Sequence, residues 1–404
     1  MKVCLVGSGA REHALALGLL AHGADDVVAT PGNVGIPGST PTAPTELDAD
    51  LFVIGPELPL VEGLADRLRA QGKLVFGPGA DGAWLERSKA WMKALLADAG
   101  VPTARFGRFD QPAPAIEFLR SLPPPYVVKT DGLAAGKGVL VTIDLAEAED
   151  DVRAKLAGQS FGDAGRTVVI EEGMSGPELS ILAVCDGTRA VPLAPAQDHK
   201  RIFDGDRGPN TGGMGAFSPV PNTDGVVDEV MAKAIEPTIA ALQARGVDYR
   251  GVLYAGLMLT DEGPKIVEYN IRFGDPETQV LLPRFRGDLA QLLAEAASGR
   301  LRSEPAFDDD AAVCVVLAAP GYPTAVQTGG VISGVEEAAA RQGVTVLHAG
   351  TAANDKGELV TSGGRVLNVV ATGATLAGAR DRAYAAAALI NFDGINYRKD
   401  IGQA

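Results

Sequence analysis

Glu268-Tyr269-Asn270-Ile271-Arg272-Phe273-Gly274-Asp275-Pro276-Glu277 follows a run that reads as a β-hairpin. That hairpin is Gly251 to Thr260, a turn at Asp261-Glu262-Gly263-Pro264, then Lys265-Ile266-Val267. Side chains alternate faces along a strand, so Glu268 and Asn270 point the same way, with Arg272 just beyond. A carboxylate and an amide oxygen on one face are hard donors that suit Mg2+, which takes few protein oxygens when phosphates supply the rest. A guanidinium beside them can grip a carboxylate or a phosphate through two parallel hydrogen bonds. By itself the run is equally a solvated strand end; a nucleotide site elsewhere in the chain would give it a purpose.

Composition restricts the class. The chain has 404 residues, enough for two or three domains, with 46% hydrophobic and 22% charged residues, the balance of a globular protein. A formal net charge of -15 argues against a general polyanion binder, so no nucleic-acid partner is expected, while a local basic pocket for a small phosphate ligand remains compatible. Cys4, Cys185 and Cys314 lie far apart in apolar runs and read as buried strand thiols of a reducing compartment. His13, His22, His199 and His348 form no ligand-spaced cluster. Only a short apolar run separates Lys2 from Arg11-Glu12-His13, so a secretory signal is not expected. No stretch reaches the roughly 18 apolar residues of a membrane span. The expectation is a cytoplasmic protein with no membrane partner.

Toward the N-terminus, strands and helices alternate. Val3 to Val6, Asp26 to Ala29, Leu51 to Ile54 and Leu74 to Phe76 read as strands, with helical spacing at Glu12 to Ala21 and Leu60 to Ala70. This predicts a parallel α/β domain ending near Pro102, with a helix at Ser88 to Ala99 leading out of it. Gly7-Ser8-Gly9 invites a dinucleotide-binding reading, but the third glycine would fall at Glu12, and the second strand runs into Thr30-Pro31-Gly32 instead of an acid. What survives is a general anion site at a helix N-terminus, with Gly9 and Arg11 as candidates. Asn33 and the turn Gly55-Pro56-Glu57 follow strand ends, where open α/β sheets place ligands.

The middle of the chain carries Val127-Val128-Lys129-Thr130-Asp131-Gly132-Leu133-Ala134-Ala135-Gly136-Lys137-Gly138-Val139. It is not a Walker loop: three residues separate Gly132 from Gly136, and Gly138 follows Lys137 where Ser or Thr is required. It reads as two strands joined by a glycine loop that folds over phosphates, with Lys129 fixed on the first strand. Glycines let the backbone approach a triphosphate, and lysines neutralise it. Val168 to Glu171 is a buried strand ending in acid, followed by Glu172-Gly173-Met174 and then Glu178; backbone groups there can meet adenine while an acid binds ribose hydroxyls. The proline-punctuated stretch before Tyr126 marks the start of a second module that runs to Leu193, and a third runs from Ala194 to Gly299. Ser303 to Asp310 reads as a polar linker. Ala312 to Ala318, Val344 to His348 and Arg365 to Val370 are expected strands of a small terminal domain, with a helix at Thr375 to Ile390.

In this order, Lys89, the Lys129 to Gly138 loop, Glu171 to Glu178 and Glu268-x-Asn270 resemble the ATP-grasp ligases. Gln197-Asp198-His199-Lys200-Arg201, Gly208-Pro209-Asn210-Thr211-Gly212-Gly213-Met214-Gly215-Ala216, Arg272 to Glu277 and Tyr397-Arg398-Lys399-Asp400-Ile401-Gly402 are similar to the glycine-ligating, phosphoribosylamine-using family within that superfamily. The resemblance covers essentially the whole chain. It implies an α/β architecture: an N-terminal parallel-sheet (pre-ATP-grasp) domain at 1–102, an ATP-grasp core at 103–300 with a small lid subdomain at about 120–193, and a small α+β domain at 311–404.

The resemblance further implies ATP and Mg2+, with Mn2+ as an alternative, and the small-molecule substrates glycine and 5-phosphoribosylamine acting on a monomer. Lys89, Lys129, Gly132, Gly136, Lys137 and Gly138 would meet the ATP phosphates, Glu171, Gly173 and Met174 the adenine, and Glu178 the ribose. Glu268 and Asn270 would hold the metal. Arg272, Asp198, Asn210, Thr211, Pro276 and Glu277, with Gly9, Arg11, Asn33, Gly55, Pro56 and Glu57, would line the acceptor site; Arg272 and Lys129 would assist catalysis.

Three departures stand out. Ala10 replaces a usual glycine, the stretch from Asn33 to Gly55 omits a helix, and Tyr254-Ala255-Gly256-Leu257 offers no second metal-binding acid.

The implied chemistry is phosphorylation of a carboxylate by ATP and attack of an amine on the acyl phosphate, which needs positioning and charge neutralisation and no protein nucleophile. An NAD-dependent oxidoreductase fails on Glu12 and the missing acid. A nucleotide-binding module without turnover would not need Lys129, Glu268, Asn270 and Arg272 together. A sibling ATP-grasp ligase with another carboxylate and amine is disfavoured by the Gly208 to Ala216 and Arg272 to Glu277 strings.

Overall fold

Val3-Cys4-Leu5-Val6 is unbroken in its apolar character because its strand, Lys2–Gly7, is covered on both faces, as strands in parallel sheets are. In the computed structural model, which describes residues 1–132, 138–158 and 166–403, it is an inner strand of a parallel sheet. The order is Asp26–Pro31, Lys2–Gly7, Leu51–Ile54, Val75–Phe76. The chain between Pro31 and Leu51 contains only the 3-10 turn Pro44–Glu46, so the helix expected to be missing is missing. The helical spacing at Leu60 to Ala70 resolves into two helices, Glu57–Val61 and Leu64–Ala70, because Gly63 between them takes φ +76°, a conformation that glycine tolerates.

The hairpin around which the sequence was read is the centre of the molecule. Arg250–Thr260 and Gly263–Asn270 pair antiparallel and extend a sheet in the order Ala190–Pro192, Glu178–Asp186, Arg250–Thr260, Gly263–Asn270. Alternate residues of its inner strands enter two different cores. Leu182, Val184, Val252 and Tyr254 join a cluster that reaches Val3, Leu5, Cys314 and Val316. Leu179, Ile181, Leu253 and Leu257 join one that includes Cys4, Phe52, Tyr249 and Tyr269. Each Leu or Val buried in this way contributes about 1.5–3 kcal/mol. The sheet is thereby locked between the N-terminal and C-terminal parts of the chain.

A smaller antiparallel sheet, in the order Phe106–Phe109, Val168–Glu172, Tyr126–Thr130, Val139–Thr142, carries the helices Pro112–Arg120 and Leu145–Leu156 and has its own core of Leu119, Val128, Val152 and Ile170. It differs from the expected module of Tyr126 to Leu193. It begins at Phe106 and ends at Glu172, and Glu178–Asp186 crosses into the central sheet. Pro112 and Pro114 are not punctuation; they occupy the first turn of a helix, where a missing N–H costs nothing.

The terminal segment is also less separate than expected. Its strands Ala311–Ala318, Arg365–Gly373 and Val344–His348 share a five-stranded antiparallel sheet with Gln197–Asp198 and Gly215–Ser218. All eight residues of Ala311–Ala318 are buried, and Ala311 to Leu317 alternate between the large cluster and one covered by Ala379, Ala383 and Ala386 of the helix Leu376–Ala387. The expected linker Ser303 to Asp310 is tied down as well: Ala306–Phe307 pairs with Phe285–Arg286, and Arg284 donates to the carbonyls of Asp308 and Asp310. Cys4, Cys185 and Cys314 are buried free thiols on strands, as expected. Among the described residues no helix is long and apolar enough to cross a membrane.

Candidate active site

Register determines which side chains share the cleft. Gly256 lies opposite Glu268 and Ser180, while Tyr254 lies opposite Asn270. Residues two apart share a face, so Glu178, Ser180, Tyr254, Gly256, Glu268 and Asn270 line one side of the central sheet. The expected pairing of Glu268 with Asn270 holds, and Tyr269 between them turns into the opposite core, where its hydroxyl meets Thr238 at 3.0 Å. The residue across from Glu268 is Gly256, so the adjoining strand supplies no second acid.

Among the described residues the Glu268 carboxylate forms no hydrogen bond or ion pair. Burial pushes its carboxyl up, but Lys200, Lys129, Lys89 and Arg272 together hold it below its ordinary value. A carboxylate without a direct partner, beside an amide oxygen and ringed by cations, fits the role of a hard-metal ligand facing phosphates. The described residues contain no cluster of three or more His, Cys, Asp or Glu that could hold a metal, and Glu268 and Asn270 are two oxygen donors side by side on this face.

Lys129 is 6% exposed on Tyr126–Thr130, and its Nζ lies 2.8 Å from Glu171 Oε1 and 3.3 Å from the Val267 carbonyl. Lys93, fully buried, takes the other oxygen of Glu171 at 2.9 Å and donates to Thr103 Oγ1 at 2.7 Å. Burial pushes the Lys93 ammonium down to about 8, opposed by Glu171. Glu171, at the strand end expected to meet adenine, has its side chain 2% exposed and engaged by two lysines. Sequence reading missed Lys93, although its position one turn after Lys89 on the helix Lys89–Asp98 was a usable signal. Lys89 Nζ donates to the Gly132 carbonyl at 3.0 Å, and Asp131 accepts from Ser88 Oγ and from Ala90 N at the start of that helix. Gly138 accepts from Thr130 N at 2.9 Å. Gly136 and Lys137 lie outside the described residues.

Gly173 and Met174 follow the strand end and are half-buried. Glu178 opens the next strand; burial pushes its carboxyl up to about 7, against the pull of Lys200. Lys200, which lies in one of the family-like strings but carries no expected role, pairs with Asp198 at 2.8 Å. Tyr254 donates to Glu277 Oε1 at 2.8 Å and shares a hydrogen bond with Ser180, so Glu277 is a buried floor group. Thr211 closes back on the Lys200 carbonyl through N and Oγ1, both at 2.8 Å. The Asn210 side chain forms no hydrogen bond among the described residues. Pro276 packs beneath this loop, where a Cβ on Gly213 would come within 2.5 Å of its Cδ.

Arg272 is more occupied than expected. Its Nη2 reaches Glu86 at 3.2 Å and Asn270 at 3.1 Å, its Nη1 donates to the Phe273 carbonyl at 3.2 Å, and its Nε lies 3.4 Å from Glu57. Burial lowers its affinity for a proton, but Glu86 and Glu57 outweigh burial and raise it. The Glu86 contact had no sequence signal, because that residue lies 186 positions away.

The N-terminal turn is also filled from within. Glu12 accepts from Gly9 N at 2.7 Å and from Arg11 Nε at 2.6 Å, and Arg11 donates to the Phe273 carbonyl at 3.2 Å. A Cβ on Gly55 would lie 2.1 Å from Glu12 Oε1, so the glycines fit around this carboxylate. The turn read as an anion site therefore already holds an anion, and Gly9 and Arg11 are turned toward it. Pro56 continues the Gly55 turn and precedes the helix Glu57–Val61. Asn33 donates to the carbonyls of Ser8 at 2.8 Å and His348 at 3.0 Å, tying the turn to the C-terminal sheet.

Three family descriptions match successive parts of the chain: the phosphoribosylglycinamide synthetase N domain over residues 1–86, the ATP-grasp (A) domain over 87–278 and the C domain over 312–404. The chain is 49% identical over 419 residues to a phosphoribosylamine–glycine ligase of Caulobacter vibrioides, covering 100% of this chain and 98% of that one. It is 46% identical over 424 residues to the phosphoribosylamine–glycine ligase of Escherichia coli, with the same two coverages. A crystal structure of the Thermotoga maritima phosphoribosylamine–glycine ligase superposes with a TM-score of 0.88 at 36% identity, covering 99% of this chain and 100% of that one. The biotin carboxylase domain of a Hydrogenobacter thermophilus 2-oxoglutarate carboxylase shares the fold at 16% identity with a TM-score of 0.68, covering 98% of this chain and 91% of that one.

Proposed function

The chain belongs to the phosphoribosylamine–glycine ligase family, and from that premise we propose that the face carrying Glu178, Glu268 and Asn270 is where ATP and the two acceptors meet. The enzyme is an ATP-dependent carbon–nitrogen ligase of purine biosynthesis. It joins glycine to 5-phospho-D-ribosylamine, forming glycinamide ribonucleotide, ADP and phosphate through a glycyl phosphate.

The observation that carries the site assignment is the unpartnered Glu268 carboxylate inside a ring of Lys89, Lys129, Lys200 and Arg272. Phosphoryl transfer between ATP and the glycine carboxylate concentrates negative charge at one place, and preorganised cations stabilise it without reorganisation. Lys129 and Lys89 serve the ATP phosphates, with Lys129 fixed by Glu171. Gly132, Gly136, Lys137 and Gly138 would meet those phosphates, Gly173 and Met174 the base, and Glu178 the ribose. Glu268 and Asn270 would hold Mg2+, with Mn2+ as an alternative, and the ion supplies charge neutralisation at the phosphates when bound. Arg272 orients Asn270 and presents its remaining N–H groups to the acceptor side. Asp198, Lys200, Asn210, Thr211 and Glu277 shape that side, and Gly9, Arg11, Asn33, Gly55, Pro56 and Glu57 bound it toward the N-terminal sheet.

The same reading takes the enzyme as a cytoplasmic monomer handling small molecules, with neither nucleic acid nor membrane as partner. Measuring ADP release with glycine alone, and then with glycine plus freshly generated phosphoribosylamine, tests the assignment in wild type and Asn210→Ala. Dependence on the amine that Asn210→Ala weakens supports the acceptor side; an unchanged dependence removes it.

A further inference from the structure

The loop between Lys200 and Thr211 is a hairpin of Arg201–Phe203 and Arg207–Asn210 that, among the described residues, pairs with no other strand. A lone two-stranded hairpin is marginal in water. This one buries little to help itself: Ile202 is 3% exposed, but Phe203 stands 51% exposed. Its tip, Asp204-Gly205-Asp206, turns with φ +68° at Gly205 and +52° at Asp206. The residues it carries at its base, Lys200 and Asn210–Thr211, are those assigned above to the acceptor side.

What holds the tip is the other end of the chain. The segment Tyr397 to Gly402 matched the family without any task in the reaction. Arg398 is 1% exposed and spans the gap. Its Nη1 donates to Asp206 Oδ1 at 2.6 Å and to the Arg201 carbonyl at 3.2 Å. Its Nε and Nη2 fork onto Asp400, both at 2.7 Å. Asp400 also accepts from Gly205 N at 2.8 Å, and Lys399 N donates to Asp204 at 2.8 Å. The tail is in turn fixed to the C-terminal domain: Ile401 is fully buried in that core, and Tyr384 Oη donates to the Arg398 carbonyl and accepts from Ile401 N. Every turn of the hairpin tip therefore has a charged or backbone partner from residues 398–400.

We propose that residues 397–401 form a strap that positions the acceptor-binding hairpin, with Arg398 as its positioning residue. Arg398 touches no reacting atom; it acts through Asp206 and Arg201 on Lys200, Asn210 and Thr211. Charge-assisted forks of this kind fix geometry more sharply than single hydrogen bonds. A loosened hairpin would misplace the acceptors while leaving the nucleotide lysines, which sit on other elements, undisturbed. The inference rests on the acceptor role of the hairpin base, which the Asn210→Ala measurement tests separately.

The test uses the full chain with Arg398→Met and with Asp206→Ala, whose exposed carboxylate is the partner of Arg398 Nη1. KM is measured for phosphoribosylamine, glycine and ATP, together with amide exchange over 201–211. The expected result is a rise of about tenfold in KM for the acceptors in Arg398→Met and a smaller one in Asp206→Ala, with KM for ATP unmoved. Amide exchange at Gly205 and Thr211 accelerates in both. If Arg398→Met does not fold, Asp206→Ala decides. Acceptor KM values that stay at wild type, or that move together with the KM for ATP, overturn the strap whether or not the hairpin exchanges faster. If the strap variants fail this way while Asn210→Ala still weakens amine dependence, the strap alone is wrong.

Discussion

Lys93 and Lys129 come from a helix and a strand of different parts of the chain, yet they hold opposite oxygens of one carboxylate, that of Glu171, at 2.9 and 2.8 Å. All three side chains are almost fully buried. Removing the shared carboxylate leaves two buried ammonium groups without a counter-charge. Glu171→Gln should therefore cost about 3 kcal/mol of stability, read as a lowered urea midpoint. Lys129→Met should lose ATP affinity, and unchanged nucleotide binding by calorimetry would count against the phosphate role of Lys129.

Glu268→Gln should fold like the wild type and lose on the order of 10²-fold in metal-dependent kcat, because it removes a carboxylate on which Lys200, Lys129, Lys89 and Arg272 act together. Titrating Mg2+ at fixed ATP checks this. Wild-type turnover at limiting Mg2+ would refute the metal role.

Glu178 gives a pH dependence with a definite sign. Burial raises its carboxyl to about 7, so it is ionised above that pH and protonated below it. An acceptor for ribose hydroxyls is thus lost as pH falls, and KM for ATP should rise between pH 8 and pH 6. ATP titrates in the same range, so the comparison is with Glu178→Gln, whose profile should be flatter. Identical profiles would exclude Glu178 from nucleotide binding.

Gly55→Ala should damage the N-terminal turn, since its Cβ would fall 2.1 Å from Glu12 Oε1, and that side chain is pinned by Gly9 and Arg11. Overpacking of this kind costs about 1–3 kcal/mol. A melting curve and KM for phosphoribosylamine read the two consequences; a variant equal to wild type in both would show that the turn can give way.

The pairing of Glu268 with Asn270 was legible because alternation along a strand is a local rule, and the N-terminal strands were legible because buried parallel strands are unbroken apolar runs. Prolines misled at Pro112, where a helix start looks like a break. The clamp on Glu171 was half visible, through Lys129 but not Lys93, since a lysine on a helix is normally solvated. The filling of the phosphate-like turn by Glu12 was invisible: a missing glycine argued against a dinucleotide, but nothing local says that the acid itself folds back. Arg272 was assigned by its neighbours in sequence, whereas Glu57 and Glu86 reach it through the fold. Contacts separated by hundreds of residues leave no periodicity to read.

The pairing of Gly215–Ser218 with Ala311–Ala318 has a consequence for how the protein is made. On the ribosome, the strand Gly215–Ser218, which follows the acceptor-side residues Asn210 and Thr211, is complete nearly a hundred residues before its partner emerges. Until then it presents an open edge, the kind of surface that invites pairing with another chain. The tail that secures the hairpin tip arrives later still. A nascent chain with a finished nucleotide half would therefore lack a finished acceptor half until residues 311–318 and 397–401 have been made.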